Sequence, residues 1–438
     1  MLGLGITGRS AARFLCEQGA RVTVADERTE TEIGPAVVAE LAAELGSRVP
    51  VITGRPFPDP ADYDLVVPSP GIPYARYGTR ARRAWGDIEL AGRALRIPIA
   101  AVTGTNGKST TVRILETLLR AAGLRARAAG NIGTPALSLV GQPLDVAVLE
   151  VSSFQLESVE SFRPRVAVIL NLTPDHLDRH GNFSRYAETK RRLLAQQQSD
   201  DSAVLNFDDP VVAGMAATAK ARVVTFSATG SPEADVTLDG GSVYLRRENL
   251  RLPLDDLRLP GIHNVENVLA SVAAAVELGA DPRRCAAGLA GFTGLPHRCE
   301  EVATLGGVTY VNDSKATNPG AARRSLESFR APVVWIAGGR NKDLGFAELV
   351  DAAAAQVRTA FLIGEAAPAL EAALAGRVAT ERAPNLEEAV RRAARVAEPG
   401  DVVLLSPASA SFDQFSGFEE RGERFRQAVA ALADGETR

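Results

Sequence analysis

Residues 103–111 read TGTNGKSTT and follow a short apolar run at 97–102 (IPIAAV). Glycines, a lysine and hydroxyls placed where a β-branched run gives way to a helical pattern (Ile114, Leu115, Leu118, Leu119) suit the handling of a nucleotide's phosphates. Gly104 and Gly107 let the backbone bend where a Cβ would clash, so that the amides of the loop, Thr105 and Asn106 among them, can aim at phosphate oxygens. Lys108 adds a full charge for the β and γ phosphates, and Ser109 or Thr110 offers a hydroxyl to magnesium, with Thr111 next in the run. The spacing departs from GxxxxGK[ST], because Val102 stands where the first glycine would be.

Three further features could complete that chemistry. A strand-like run at 145–149 leads directly into Glu150, and a carboxylate there, beside a phosphate loop, is placed to hold magnesium directly or through water. Another run, 166–170, ends in NLTPDHLDRHGN, where His176 and His180 stand at i, i+4. That spacing would suit zinc on a helix, but the Glu of HExxH is missing and Asp178 and Gly181 indicate a loop, which leaves one histidine near a metal as the better reading. In 182–194 (NFSRYAETKRRLL) a helix is expected, with Ser184 as its cap and Tyr186 and Lys190 one turn apart. On these residues alone, Lys190 is either part of a site or one more solvated base beside Arg191 and Arg192.

Such residues need strands that feed loops. At 438 residues the chain exceeds one ordinary core, and about 150 residues per domain suggests roughly three domains. The opening MLGLGITGRS sets Gly3, Gly5 and Gly8 as GxGxxG ahead of a helical run at 9–18, and a strand at 21–25 ends at Asp26, near where a dinucleotide site holds a ribose. Only Met1 and Leu2 precede Gly3, so the strand this fingerprint requires is expected to be truncated, or the true start to lie upstream. Residues 65–68 read as a short strand before Ser69, Pro70 and Gly71, a turn on which a phosphate or sugar could rest. Strands at 203–206 and 223–226 extend the central sheet, 236–245 reads as a hairpin turning at 239–242, and Asn267 falls on the first turn of a helix opened by GIHN. Past 294–300 (GLPHRCE), strands at 309–311, 333–336, 360–363 and 402–405 alternate with helical runs. Their loops, NDSKATN (312–318), GGRNKD (338–343) and SPASASFDQF (406–415), would offer a small anion a Lys, a Thr and a Ser.

Composition narrows the partners. Apolar residues make up 45%, enough for folded cores, and a net charge of -4 leaves no footprint for nucleic acid or a membrane surface. Cys16, Cys285 and Cys299 are too few and too scattered for a disulfide framework or a zinc site, and read as reduced packing residues. With no signal peptide and no apolar run of bilayer length, a cytoplasmic protein is expected.

TGTNGKSTT, GNIG, EVSSFQLE, LTPDHLDRH with its downstream YAETK, GIHNVEN, GLPHR, NDSKATN and SPASASFDQF occur in this order, and the ordered set resembles the Mur ligase family over nearly the whole chain. The resemblance implies an α/β protein of three domains: a Rossmann-like domain at 1–90 for a UDP-linked substrate, a P-loop-type central ATPase with a mostly parallel sheet at 91–296, and a Rossmann-like domain at 297–438 for an amino acid. The NDSKATN loop points within the family to addition of D-glutamate to UDP-N-acetylmuramoyl-L-alanine through an acyl phosphate, a step of peptidoglycan precursor synthesis, by a monomer. Carried over by matching motifs, Ile6, Thr7, Asp26, Ser69 and Gly71 would hold UDP, and Asn131 and Gln155 the muramoyl part. Residues 104–111 with Asn267, Arg298 and Asp313 would serve ATP, and Lys315, Thr317, Lys342, Ser411 and Phe418 would hold D-glutamate. Lys108, Glu150, His176 and Lys190 would be the catalytic group, with Ser109, Glu150, His176 and a carbamylated Lys190 around two magnesium ions. A sister ligase taking another amino acid is the nearest alternative. A nicotinamide-dependent oxidoreductase would use GxGxxG and Asp26 but leave 103–111 without a task, and a silent scaffold would have lost Lys108, Glu150 or Lys190, all of which are present.

Overall fold

Strand Ile99–Thr103 is buried at every position, which is why its sequence shows no polar alternation: a parallel strand covered on both faces has none to show. It lies inside a nine-stranded sheet. On one side come Val146–Glu150 and then Ala126–Gly130 at the edge; on the other come Val166–Ile169, Ser202–Asn206, Arg222–Ser227 and Val236–Asp239, all parallel. Ser242–Leu245 then runs antiparallel and Leu250–Pro253 closes the far edge. The expected hairpin is there, with Asp239 opposite Ser242 and Gly240 and Gly241 both left-handed, as a tight two-residue turn requires. This computed structural model describes residues 1–46, 49–254, 261–290, 292, 294–340 and 345–436. They form two compact units, Met1–Asp256 with Glu266–Gly291, and Leu257–Val265 with Phe292–Arg438.

At the amino end of the first unit, Val24–Asp26 pairs in parallel with Val51–Thr53. The strand expected to be missing is filled by two residues: Leu2 bridges Ala25 on one side and Pro68 on the other, with its amide donating to the Val67 carbonyl at 2.8 Å. Gly3, with φ of 86°, then turns the chain toward helix Ile6–Glu17. Residues 65–68 form isolated bridges instead of a strand, to Leu2 and, from Val66, to Ala84.

The second unit holds a six-stranded sheet in the order Glu300–Leu305, Val308–Asn312, Val402–Leu405, Val333–Gly338, Val357–Ile363 and Ala379–Arg382, parallel except for the first pair. Its residues alternate between two cores, Val333, Trp335 and Ala337 on one face and Val334 and Ile336 on the other. The last strand in sequence slots between two earlier ones, so the carboxyl ends at Asn312, Leu405 and Gly338 are neighbours and their loops open side by side. Strands Ala126–Gly130, Glu300–Leu305 and Ala379–Arg382 carry too many exposed or small residues to stand out by pattern. No helix among the described residues is long and apolar enough to cross a membrane.

Candidate active site

Gly107 adopts a left-handed conformation as the N-cap of helix Lys108–Ala121, and a Cβ there would lie 2.2 Å from the side-chain oxygen of Asn267. Asn267 thus packs against the phosphate loop, where it accepts a hydrogen bond from the Thr111 hydroxyl at 3.1 Å. The loop is held from a second side by Asn171, whose carbonyl accepts from Thr105 N at 2.8 Å and whose side chain accepts from Asn106 N at 2.9 Å. Lys108 donates to the carbonyls of Gly104 (2.9 Å) and Thr105 (2.8 Å).

Glu150 is 3% exposed, and its two oxygens are split between two partners: one accepts from Ser109 Oγ at 2.5 Å, the other from Asn131 Nδ2 at 2.9 Å. A buried carboxylate touching the first-turn hydroxyl of a phosphate loop fits magnesium, which takes oxygen ligands, few of them from protein, beside a nucleotide. No group of three or more His, Cys, Asp or Glu side chains placed to hold a metal ion is found among the described residues. Lys190 is 1% exposed; its ammonium donates to Gly104 O at 2.8 Å and Thr103 Oγ1 at 3.2 Å and lies over the Tyr186 ring. Burial, and then the charge of Lys108, push it well below the usual lysine range, against the pull of Asp175 and Glu150. It is therefore no solvated base.

Two expectations around it change. Asn182, not Ser184, caps helix Phe183–Arg191 by accepting from Arg185 N at 2.9 Å, since a cap must precede the first helical residue and Ser184 is already inside the turn. Residues 177–180 are not loop but the one-turn helix Leu177–His180, so Gly181 marks a helix stop. His176, its left-handed N-cap, packs on the Phe154 ring at 4.8 Å. His180 is buried, with Nε2 3.1 Å from Ser153 Oγ.

Ile6, Thr7, Asp26, Ser69, Gly71 and Asn131 all line one cleft of about 520 Å³. Glu27, Arg28, Phe57 and Arg76, which sequence reasoning missed, share it. Burial works to raise the Asp26 carboxyl, but the Arg28 guanidinium and the Leu4 amide, at 2.7 and 2.8 Å, outweigh it and hold the group below the ordinary aspartate range. Gln155 does not line this cleft. It is 2% exposed, donating to Asp87 at 2.8 Å and accepting from Ser152 N, because Ser152 and Gln155 form a capping box at helix Ser153–Leu156.

In the second unit, Asp313 is buried and pushed up to about 6 by that burial; it accepts from Cys299 N at 3.2 Å and from the Ser325 hydroxyl. Arg298 lies next to this contact in sequence and pulls the same carboxyl down. Lys315 Nζ stands 3.6 Å from the centre of the Phe418 ring. Ser411 is buried, while Thr317, in the same loop as Lys315, donates its amide to the Lys315 carbonyl at 2.8 Å. Lys342 lies outside the described residues. The three loops do converge, through a residue not anticipated: Arg421 is 0% exposed and donates to Ser314 Oγ (3.0 Å), Ser314 O (2.8 Å), Ser409 O (3.1 Å) and Gly338 O (3.4 Å), one loop after another. The signal existed, since Phe418, Arg421, Phe425 and Val429 form one helical stripe. Of the five non-glycine residues with positive φ, Ala408 sits in the 406–415 loop, His176 immediately ahead of helix Leu177–His180, and His297 and Cys299 in the 294–300 stretch.

Known proteins share this chain's sequence and fold. Family descriptions match along the chain: "Mur ligase MurD-like, N-terminal domain" at 1–87, "Mur ligase middle domain" at 102–275, and "Mur ligase, glutamate ligase domain" at 297–409. The UDP-N-acetylmuramoylalanine--D-glutamate ligase of Geobacter metallireducens is 45% identical over 449 residues, covering 100% of this chain and 98% of that protein. Among solved structures, a pseudomurein peptide ligase type C from Methanothermus fervidus superposes with a TM-score of 0.64 at 19% identity, covering 98% of this chain and 99% of that one. The MurF ligase from Thermotoga maritima, solved with ADP, gives 0.62 at 21% identity over 86% of this chain and 100% of that one. The chain belongs to the Mur ligase family.

Proposed function

We propose that this protein is an ATP-dependent ligase that joins D-glutamate to UDP-N-acetylmuramoyl-L-alanine, releasing ADP and phosphate, in the synthesis of peptidoglycan precursors. One observation carries the reading: Asn131 lines the cleft at the amino-terminal glycines and also donates to Glu150 beside the phosphate loop, so a substrate anchored in the cleft has its far end next to the nucleotide.

A free carboxylate is a poor electrophile. Its oxygen attacks the γ phosphorus, ADP departs, and the acyl phosphate so formed has a leaving group. The amine of D-glutamate then adds to the carbonyl carbon, and the tetrahedral intermediate expels phosphate as the amine gives up its proton. Phosphoryl transfer asks chiefly for position and for charge matched to the transition state. Lys108 and the loop amides of 104–111 serve that need, with Asn267, Arg298 and Asp313 also assigned to ATP. Magnesium, when bound, would neutralise phosphate charge; Ser109, Glu150 and His176 are the residues that fit it, and two ions are expected. Lys190 is assigned as a carbamate. Its buried amine is disfavoured as a cation, and adding CO₂ with loss of a proton converts it to an anion suited to a metal. Ile6, Thr7, Asp26, Ser69 and Gly71 are assigned to the UDP part of the substrate, Asn131 and Gln155 to its muramoyl part, and Lys315, Thr317, Lys342, Ser411 and Phe418 to D-glutamate.

Domain limits at 1–90, 91–296 and 297–438, a monomeric state and a cytoplasmic location belong to the same proposal, the limits supported by the family matches and the change of unit at Phe292. The test is phosphate release with UDP-N-acetylmuramoyl-L-alanine and ATP, comparing D-glutamate with L-glutamate and other amino acids. Turnover is expected with D-glutamate; equal turnover with L-glutamate would overturn the assignment.

A further inference from the structure

The one-turn helix Leu177–His180 carries a side chain that the mechanism above does not use. Arg179 is 11% exposed, and its guanidinium is engaged on two sides. Toward one, Nε and Nη2 donate to the two oxygens of Glu157 at 3.0 and 2.6 Å. Toward the other, Nη1 donates to Gly71 O at 3.2 Å and Nη2 to Ile72 O at 3.0 Å, with Pro70 O at 3.4 Å. Its Cζ also lies 4.7 Å from the centre of the Phe154 ring, the ring on which His176 packs.

Successive carbonyls aimed at one cation do not arise from a Ser-Pro-Gly turn left to itself; such a surface turn would otherwise be among the mobile parts of the fold. Here the turn is a wall of the substrate cleft, since Ser69, Pro70, Gly71 and Ile72 all line it. A planar fork with five donors can grip a carboxylate with one edge and carbonyls with another, which a lysine ammonium cannot do in the same geometry. Arg179 is also only three residues from His176, within a single helical turn. The wall that seats one end of the substrate and the turn assigned to its reacting end are therefore tied to the same side chain.

We propose that Arg179 is a positioning residue: it locks the 70–72 wall of the cleft to the turn bearing His176, fixing the distance over which the substrate must reach from its nucleotide to its carboxylate. This rests on the assignment of the cleft to a UDP-linked substrate. Misplacing a reacting group by about 1 Å can cost on the order of a hundredfold in rate, so the lock acts on rate as well as on binding.

The test compares wild type with Arg179→Met and Arg179→Lys in steady-state ligase assays, with thermal midpoints and calorimetric titration of UDP alone. Arg179→Met is expected to raise KM for the UDP-linked substrate about tenfold or more and to lower kcat, leaving KM for ATP within about twofold and the thermal midpoint within a few degrees. Arg179→Lys is expected to recover only part of the loss. Unchanged constants would overturn the proposal, as would a uniform loss for every substrate that tracks a fall in midpoint. If wild type itself shows no D-glutamate-dependent turnover, the functional reading fails instead. The UDP titration then decides the lock alone, weaker binding by Arg179→Met supporting it and equal binding overturning it.

Discussion

Among the described residues, two lysine or arginine side chains are buried, and they are opposites. Lys190 and Arg421 are 1% and 0% exposed, and both donate to hydroxyl and carbonyl oxygens. Burial drives Lys190 well below its usual range, yet lowers Arg421 only to about 10, so that it stays charged at any working pH. The oxygens around them differ as well. Without Lys190, Gly104 O would still receive the Lys108 ammonium and the Thr103 hydroxyl would still donate to Val151 O. Without Arg421, Ser409 O and Ser314 O lose the donor described for them. Lysine is thus buried where a neutral amine is useful, arginine where loops must be held.

The largest effect should come from the lysine's chemistry. Lys190→Ala is expected to lower the ligase rate by about 10²- to 10³-fold, the loss typical of one well-placed electrostatic contact, with formate or acetate restoring part of it. An intact mass showing no carbamate on an active wild-type enzyme would break that side of the contrast. Next, Arg421→Met should destabilise the second unit by about 3 kcal/mol, because buried carbonyls lose their donor, and Arg421→Lys should recover only a fraction. Denaturant unfolding checks this, and an unchanged midpoint would show that the three loops hold without the guanidinium. The smallest effect has the opposite sign. Across the window between the lowered folded value of Lys190 and the ordinary unfolded one, the unfolded chain holds one more proton, so wild-type stability rises with pH. Lys190→Met removes that dependence: in bicarbonate-free buffer it should be more stable than wild type by about 1 kcal/mol near neutral pH, the gap closing as pH rises toward that of a free lysine. A gap that does not change with pH would mean that the amine is not the origin.

How much of this could be read from residues alone follows the same division. The phosphate loop, Glu150 and the hairpin at 239–242 are local: each lies in one stretch whose residue types carry their own geometry. Part of the cleft, Gly3, Gly5, Asp26 and the turn at 69–71, was also legible from the glycine fingerprint and the turn residues, while Ile6, Thr7 and Asn131 came only with the family resemblance. Arg179 and Arg421 were not legible, since an arginine among forty-nine basic side chains says nothing until its carbonyl partners, 107 to 109 residues away for Arg179 and 12, 83 and 107 residues away for Arg421, are brought to it. Gln155 has a local role of the same readable kind as the phosphate loop, as part of a helix cap. The residue at N3 of a capping box must turn its side chain back to its own helix, and the S-x-x-Q spacing of Ser152 and Gln155 already said so.

The left-handed residues His176, His297, Cys299 and Ala408 carry a last consequence. A side chain in that region costs on the order of 1 kcal/mol, and glycine would relieve it. Three of the four, however, bring side chains to their surroundings that glycine would delete: His176 packs tilted against Phe154, His297 meets Phe418 edge-on, and Cys299 touches Ser325 at 3.3 Å. At these three places the backbone strain is therefore retained for the sake of a side chain, and relieving it with glycine trades a conformational gain for a lost contact.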